Sequence, residues 1–140
     1  MPMKMMSLEK VNKFNQGTAI KNLGIEIIEI TESTVSAKMP VDERTKQPMG
    51  LLHGGASVLL IESIGSIGSS LMVDLEREYP VGLEVNANHV GSASSGFVIG
   101  TGKVIHEGKK THIWSVEIRD EESNRLISIG RLTVMIVEKK

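Results

Sequence analysis

The sequence predicts an α+β domain in which one long helix is wrapped by a curved antiparallel β-sheet. Three observations point there. Residues 54–75 read as a single helix, apolar nearly all round, whose surface must be buried on most sides. Two strand-like stretches precede it, at 24–30 and 34–41, and four follow it, at 81–91, 96–106, 111–120 and 125–137. The chain has 140 residues, of which 40% are hydrophobic, which makes one domain with enough core to need no metal or disulfide staple.

Each element has its own signal. Residues 1–23 form an N-terminal helix and turn, and 24–140 the core. Ser7 can cap a helix over about 7–16, with Leu8, Val11 and Phe14 sharing a face, and Gly17 ends it. Gly24–Ile30 is β-branched and alternating, with a phase slip at Ile27-Ile28 that predicts a bulge. In the next strand Val35, Ala37 and Met39 share a face. An irregular polar connection, 42–50, then leads to Leu51-Leu52-His53-Gly54-Gly55 and the long helix. In 111–120, His112, Trp114, Val116 and Ile118 face one way. Turn signals at Gly91…Gly96, Glu107-Gly108-Lys109 and 121–124 predict hairpins between successive strands. The order is α-β-β-α-β-β-β-β.

Composition excludes several classes. Lys plus Arg number 16 against 17 Asp plus Glu, a net charge of -1, without the basic excess that nucleic-acid binding shows. With no cysteine there is no thiol catalysis, iron–sulfur site or disulfide framework. The N-terminus lacks the apolar run and cleavage site of a secretory signal, so the cytoplasm is the expected location. Residues 54–73 are long enough for a membrane span, but Glu62 in mid-span would cost about 3 kcal/mol. Four glycines and five serines in the same stretch also favour a buried helix of a soluble protein. No nucleophile-elbow or P-loop spacing exists, and the four histidines show no paired metal-ligand spacing, so no metal is expected.

One constellation remains: Gln47-x-x-Gly50-x-x-His53-Gly54-Gly55, with Glu62 on the helix that follows. A helix N-terminus presents unpaired N–H groups and a positive dipole end. Gly54 and Gly55 leave those groups open to a ligand carbonyl, and one such donor is worth about 3–4 kcal/mol in a transition state. The same glycines also read as a close-packing helix entry, and His53 as a simple cap. Glu62 lies about two turns into the helix, with Ser66 at i+4 on the same face. It reads as a nucleophile, as a base, or as a structural carboxylate hydrogen-bonded to Ser66 or to another chain.

This motif resembles the signature of hot-dog-fold acyl-CoA thioesterases of the phenylacetate-pathway (PaaI-like) type. The similarity extends through Met39–Pro48, Gly54–Val58, Glu62–Ser66 and Val81–Val90, and covers the chain from about Gly24 to Val137. Within that group it is similar to the 1,4-dihydroxy-2-naphthoyl-CoA thioesterases of menaquinone biosynthesis and the proofreading thioesterases of enterobactin synthesis. The resemblance implies a homodimer with a continuous sheet, assembling to a homotetramer. It also implies an active site across the dimer interface, with Glu62 of one subunit facing Gln47, His53 and the Gly54 amide of the other. The Gly54 N–H, with Gln47 or His53, would polarise the thioester carbonyl. Glu62 would attack it or activate a water, and Ser66 would place the water or Glu62.

By the same resemblance Gly55 would contact the substrate. Val81 and Gly82, with Met49, Leu51 and Leu83, would line the acyl pocket. His89, His106, Gly108, Lys109 and Lys110 would line the pantetheine and phosphate channel. No cofactor is implied, CoA being part of the substrate. The chain departs from its relatives where they carry arginines near 91 and 94, for here stand Gly91 and Ser94. This admits an acyl-carrier protein as the alternative thioester carrier. A hydratase on the same fold and a non-catalytic acyl-CoA-binding protein are the competing classes.

Overall fold

The structure, a computed structural model, describes residues 3–140. Ser7 opens the first helix as expected. Its side chain accepts from the Lys10 N–H, and helix α1 runs Leu8–Phe14. Of the three residues expected on its inner face only Val11 is buried, while Phe14 is 71% exposed. A helix of two turns lies against the domain along one line only. Asn12 fastens it there, its amide donating to the Ile27 carbonyl at 2.9 Å and accepting from the Ile27 N–H at 2.8 Å. Gly17 has a positive φ of 74° where the helix has ended. A one-turn helix that the pattern did not announce, α2 (Ala19–Asn22), follows.

Strands β1 (Glu26–Ile30) and β2 (Thr34–Pro40) pair antiparallel, and the register slips between Ile27 and Glu29 at the expected bulge. Val35, Ala37 and Met39 are wholly buried, as their alternation predicts. Helix α3 is Gly54–Ser70. It stops a turn short of the expected Leu75 because Leu71, Met72 and Val73 enter the core from a turn, which Asp74 closes by accepting from the Glu76 N–H at 3.0 Å. Hydrophobicity alone does not distinguish the two outcomes. Four long strands complete the chain: β3 (Glu78–His89), β4 (Phe97–Glu107), β5 (Thr111–Asp120) and β6 (Leu126–Glu138). β3 begins before the expected position and includes Pro80, which an edge strand accommodates.

The six strands form one antiparallel sheet in the order β1-β2-β4-β5-β6-β3, with α3 packed against five of them. The expected β3–β4 hairpin is therefore wrong. β3 pairs with β6 from Glu78↔Glu138 to His89↔Ser128, and residues 90–96 carry the chain across to β4 instead. The β4–β5 and β5–β6 hairpins form as predicted. On β5 His112, Trp114, Val116 and Ile118 are all buried. Helix and sheet approach closely because α3 presents Gly65 and Gly68 to Trp114; a Cβ at Gly65 would also lie 2.5 Å from Leu132. Below them Ser69 Oγ accepts from Trp114 Nε1 at 2.9 Å and meets His112 Nδ1 at 3.0 Å. No helix of the described residues is long and apolar enough to cross a membrane.

Candidate active site

Thr45 and Ala93 hold the approach to α3 by accepting from the His53 and Leu52 N–H groups, each at 2.8 Å. His53 is the N-cap in extended conformation, φ -69° and ψ 130°, and its Nδ1 accepts from the Gly55 N–H at 2.7 Å. Its carbonyl takes the N–H groups of Ala56 and Ser57. Of the two glycine amides the sequence offered as donors, that of Gly55 is thus already used, whereas that of Gly54 has no partner among the described residues. An accepting Nδ1 leaves the proton of neutral His53 on Nε2, which makes that atom a second donor at the helix end.

His89, at the far end of β3, comes to the same place. A Cβ at position 54 would lie 2.6 Å from its Nε2, so glycine is the residue that fits there. The ring is held by Ser128, whose Oγ lies 3.0 Å from Nδ1 and donates its only proton to the Asn88 carbonyl at 3.2 Å. Nδ1 is then the donor, and Nε2 of the neutral ring presents a lone pair beside Gly54. Ser128 is a site residue that sequence reasoning missed. It is fully buried, and only the β3–β6 register reveals that it faces His89. Gln47 stands in the preceding loop. Its Oε1 accepts from the backbone N–H groups of Met49 and Leu51, which leaves its amide Nε2 without a partner among the described residues.

Glu62 sits eight residues beyond Gly54, about 12 Å along the helix axis at the usual rise. Its half-buried carboxylate lies against β3 at Gly82, where a Cβ would run into Oε1. Among the described residues no hydrogen bond or ion pair engages it. Ser66 follows one turn later, its hydroxyl also unpartnered among the described residues and its carbonyl accepting from Ser70 Oγ at 2.9 Å. The Glu62–Ser66 hydrogen bond weighed from spacing is not made.

A single chain therefore brings together Gly54, Gly55, His53, His89 and, in the adjoining loop, Gln47. It holds Glu62, Ser66 and Gly82 apart from them. Val81, Leu83 and Met49 project outward, 41%, 55% and 82% exposed. Gly108, Lys109 and Lys110 form the β4–β5 turn and His106 stands near the end of β4; the Lys110 carbonyl accepts from the Ile136 N–H, and a Cβ at Gly108 would lie 2.8 Å from His106 Nε2. That turn is level with Val81, since Met135 pairs with both Val81 and Thr111. The eight residues of β3 from there to His89 span about 26 Å, so one chain does not unite His89 with the two lysines. Among the described residues no cluster of three or more His, Asp or Glu side chains could hold a metal ion.

The family model of the thioesterase superfamily matches residues 49–127, from the loop after Gln47 to the residue before Ser128. The 1,4-dihydroxy-2-naphthoyl-CoA hydrolase of Escherichia coli is 48% identical over 132 residues, 94% of this chain and 96% of that one. The proofreading thioesterase EntH of Cronobacter turicensis is 40% identical over 132 residues, 94% and 95% of the two chains. Among solved structures, a mutant thioesterase from Pseudomonas aeruginosa superposes with a TM-score of 0.95 at 40% identity, covering 99% of both chains. A thioesterase from Haemophilus influenzae superposes with a TM-score of 0.92 at 42% identity, covering 98% and 94%. The helix wrapped in its sheet is thus that of a hot-dog protein, and the chain belongs to the thioesterase superfamily.

Proposed function

We propose that the protein is an acyl-CoA thioesterase that hydrolyses aromatic or medium-size acyl-CoA esters to the free acid and CoA, 1,4-dihydroxy-2-naphthoyl-CoA among them. The observation that carries this reading is a pair of polar groups on one side of α3, the Gly54 N–H and the Glu62 carboxylate, left unpaired among the described residues. An amide donor at a helix N-terminus stabilises the negative charge that grows on a thioester oxygen. The carboxylate then either attacks the carbonyl carbon, expelling the thiolate and leaving an anhydride for water to cleave, or removes a proton from the attacking water. Both routes need the same juxtaposition. Gln47 Nε2 and His53 Nε2 supply further donors, and Ser66 stands beside Glu62 to orient the water.

Two copies of the chain supply that juxtaposition. β3 is an unpaired sheet edge of 12 residues, with Tyr79, Val81 and Leu83 exposed along it. Glu62 rests against this strand at Gly82 and Gly54 against it at His89. Antiparallel pairing of β3 with its own copy, about an axis between Val85 and Asn86, sets Gly82 opposite the partner subunit's His89. That carries each carboxylate toward the amide donor of the other chain. The homodimer, and the homotetramer built from it, follow from this reading, as does the cytoplasmic location where CoA esters are met. Gly91 and Ser94, which offer no cation to the nucleotide phosphates, and the EntH relative favour a second reading, an acyl- or aryl-carrier protein as thioester donor.

Free-thiol release from benzoyl-, hydroxynaphthoyl-, hexanoyl- and palmitoyl-CoA tests the proposal, wild type beside Glu62→Gln. Turnover by wild type and a fall of about 100-fold or more in the variant, near 3 kcal/mol, is expected. Binding of the esters with no thiol released would instead indicate a carrier-protein enzyme or a non-catalytic binder. Full activity of Glu62→Gln would remove that residue from the mechanism.

A further inference from the structure

Around Gly54 the chain gathers donors and a single basic acceptor. His53 uses its Nδ1 lone pair on the Gly55 N–H and is left with Nε2 as a donor. Gln47 turns its side-chain oxygen to the Met49 and Leu51 N–H groups, which leaves its amide nitrogen, again a donor. His89 is the reverse. Ser128 is wholly buried, donates to the Asn88 carbonyl at 3.2 Å and accepts from His89 Nδ1 at 3.0 Å. The Nε2 lone pair is therefore free among the described residues, on an exposed ring so close to Gly54 that a Cβ there would lie 2.6 Å from it.

The Gly54 N–H suits an oxygen on which negative charge grows. A lone pair beside that oxygen repels it unless a proton stands between them, and a water supplies one. We propose that His89 is the base of a second chemical step, and that Ser128 is the positioning residue that keeps its Nε2 unprotonated and open to that water. The inference rests on the thioesterase reading and on the β3 pairing, which sets Gly82, with Glu62 against it, opposite the partner subunit's His89. In the first step a Glu62 oxygen bonds to the thioester carbon and the carbon–sulfur bond breaks, releasing the thiolate. The carboxylate is then held in an anhydride and can no longer accept a proton, so the water that cleaves the anhydride needs another base. Among the described residues, His89 Nε2 is the nitrogen gathered at Gly54 that has a lone pair to offer. The water bonds to the acyl carbon, whose oxygen stays on the Gly54 N–H, and its proton passes to Nε2. The bond from that carbon to Glu62 breaks, and the imidazolium gives its proton to the thiolate. Free acid, thiol and the Glu62 carboxylate are left.

Thiol release in the first turnovers of whichever CoA ester wild type cleaves fastest tests this in wild type, His89→Ala and Ser128→Ala. His89 is exposed, so its truncation spares the core. His89→Ala is expected to release a burst of thiol equal to its active sites at the wild-type rate, then to slow by about 100-fold or more. Hydroxylamine added during the slow phase should convert Glu62 or the acyl group to a hydroxamate, and added imidazole should speed that phase while leaving the burst unchanged. Ser128→Ala is expected to show the same burst with a smaller slowing. Its His89 ring-nitrogen resonances should move from the pattern of a proton on Nδ1 to that of mixed tautomers, a change that a merely structural serine would not produce. A fall in steady-state rate without a burst overturns the proposal, as does a rise in KM at unchanged kcat, which would make His89 a holder of the thioester's carrier arm. Equal rates in wild type and His89→Ala overturn it too, and leave the thioesterase reading intact. That reading fails by a different result, no thiol from any ester with wild type.

Discussion

The two halves of α3 use polar groups in opposite ways. In the second half Ser69 is fully buried, and its hydroxyl joins Trp114 and His112 at 2.9 and 3.0 Å. That cluster leaves nothing over for a ligand. In the first half the Gly54 N–H and the Glu62 carboxylate have no partner among the described residues, and the groups around them are arranged to stay clear: His53 caps Gly55 and not Gly54, and Ser128 holds His89. A paired polar group inside a protein specifies packing, whereas an unpaired one beside an open edge is kept for something that arrives. Both halves lie on one helix of 17 residues, so composition does not separate them.

The sharpest way to break the comparison is to delete the unpaired donor without disturbing the helix. Gly54 is the first helical residue, where proline is tolerated, and His53 before it already has the extended conformation that proline demands. Since a side chain at 54 meets His89, the substitution belongs in a His89→Ala background. Gly54→Pro with His89→Ala is expected to lose about 100-fold or more in kcat relative to His89→Ala alone, with the melting temperature nearly unchanged. Equal rates would show that the amide is no oxyanion donor. The opposite behaviour is expected at the other half. Ser69→Ala leaves the Trp114 N–H without a partner and should cost about 1–3 kcal/mol in urea unfolding while leaving kcat as in wild type.

The smallest effect concerns pH. Burial pushes His112 below the usual histidine value of 6.5, and the charge of Glu107 only partly opposes this. The unfolded chain therefore binds a proton near 6.5 that the folded chain refuses. Stability from this group is complete above 6.5 and declines as the pH falls from there to the depressed folded value, below which it changes no further. Unfolding midpoints at about pH 8 and about pH 5 should differ more in wild type than in His112→Gln. An equal difference in the two proteins would show that His112 does not titrate on unfolding.

Local pattern carried most of the elements. Ser7 caps α1, the slip at Ile27-Ile28 becomes a bulge, and the alternation of β5 turns His112, Trp114, Val116 and Ile118 inward. The Gln47…His53-Gly54-Gly55…Glu62 spacing marked the candidate site residues. Such features depend on neighbours a few residues apart, where periodicity and backbone chemistry act directly. The end of α3 was misread because Leu71, Met72 and Val73 are equally buried in a helix or a turn. The hairpin expected at Gly91…Gly96 was misread because a turn signal says that the chain bends, not which strand it reaches.

What the sequence determined by itself is one helix apolar enough to demand a sheet around it, the strands to build that sheet, and a carboxylate and a glycine pair set apart on the helix. The tertiary structure decided what those groups face. Pairing β3 with β6 sets His89 against Gly54 through Ser128 and leaves β3 as an open edge beside Glu62. The physical reason is that strand order and helix seating are settled by burial summed over the whole core, between residues far apart in the chain. No local stretch carries that sum.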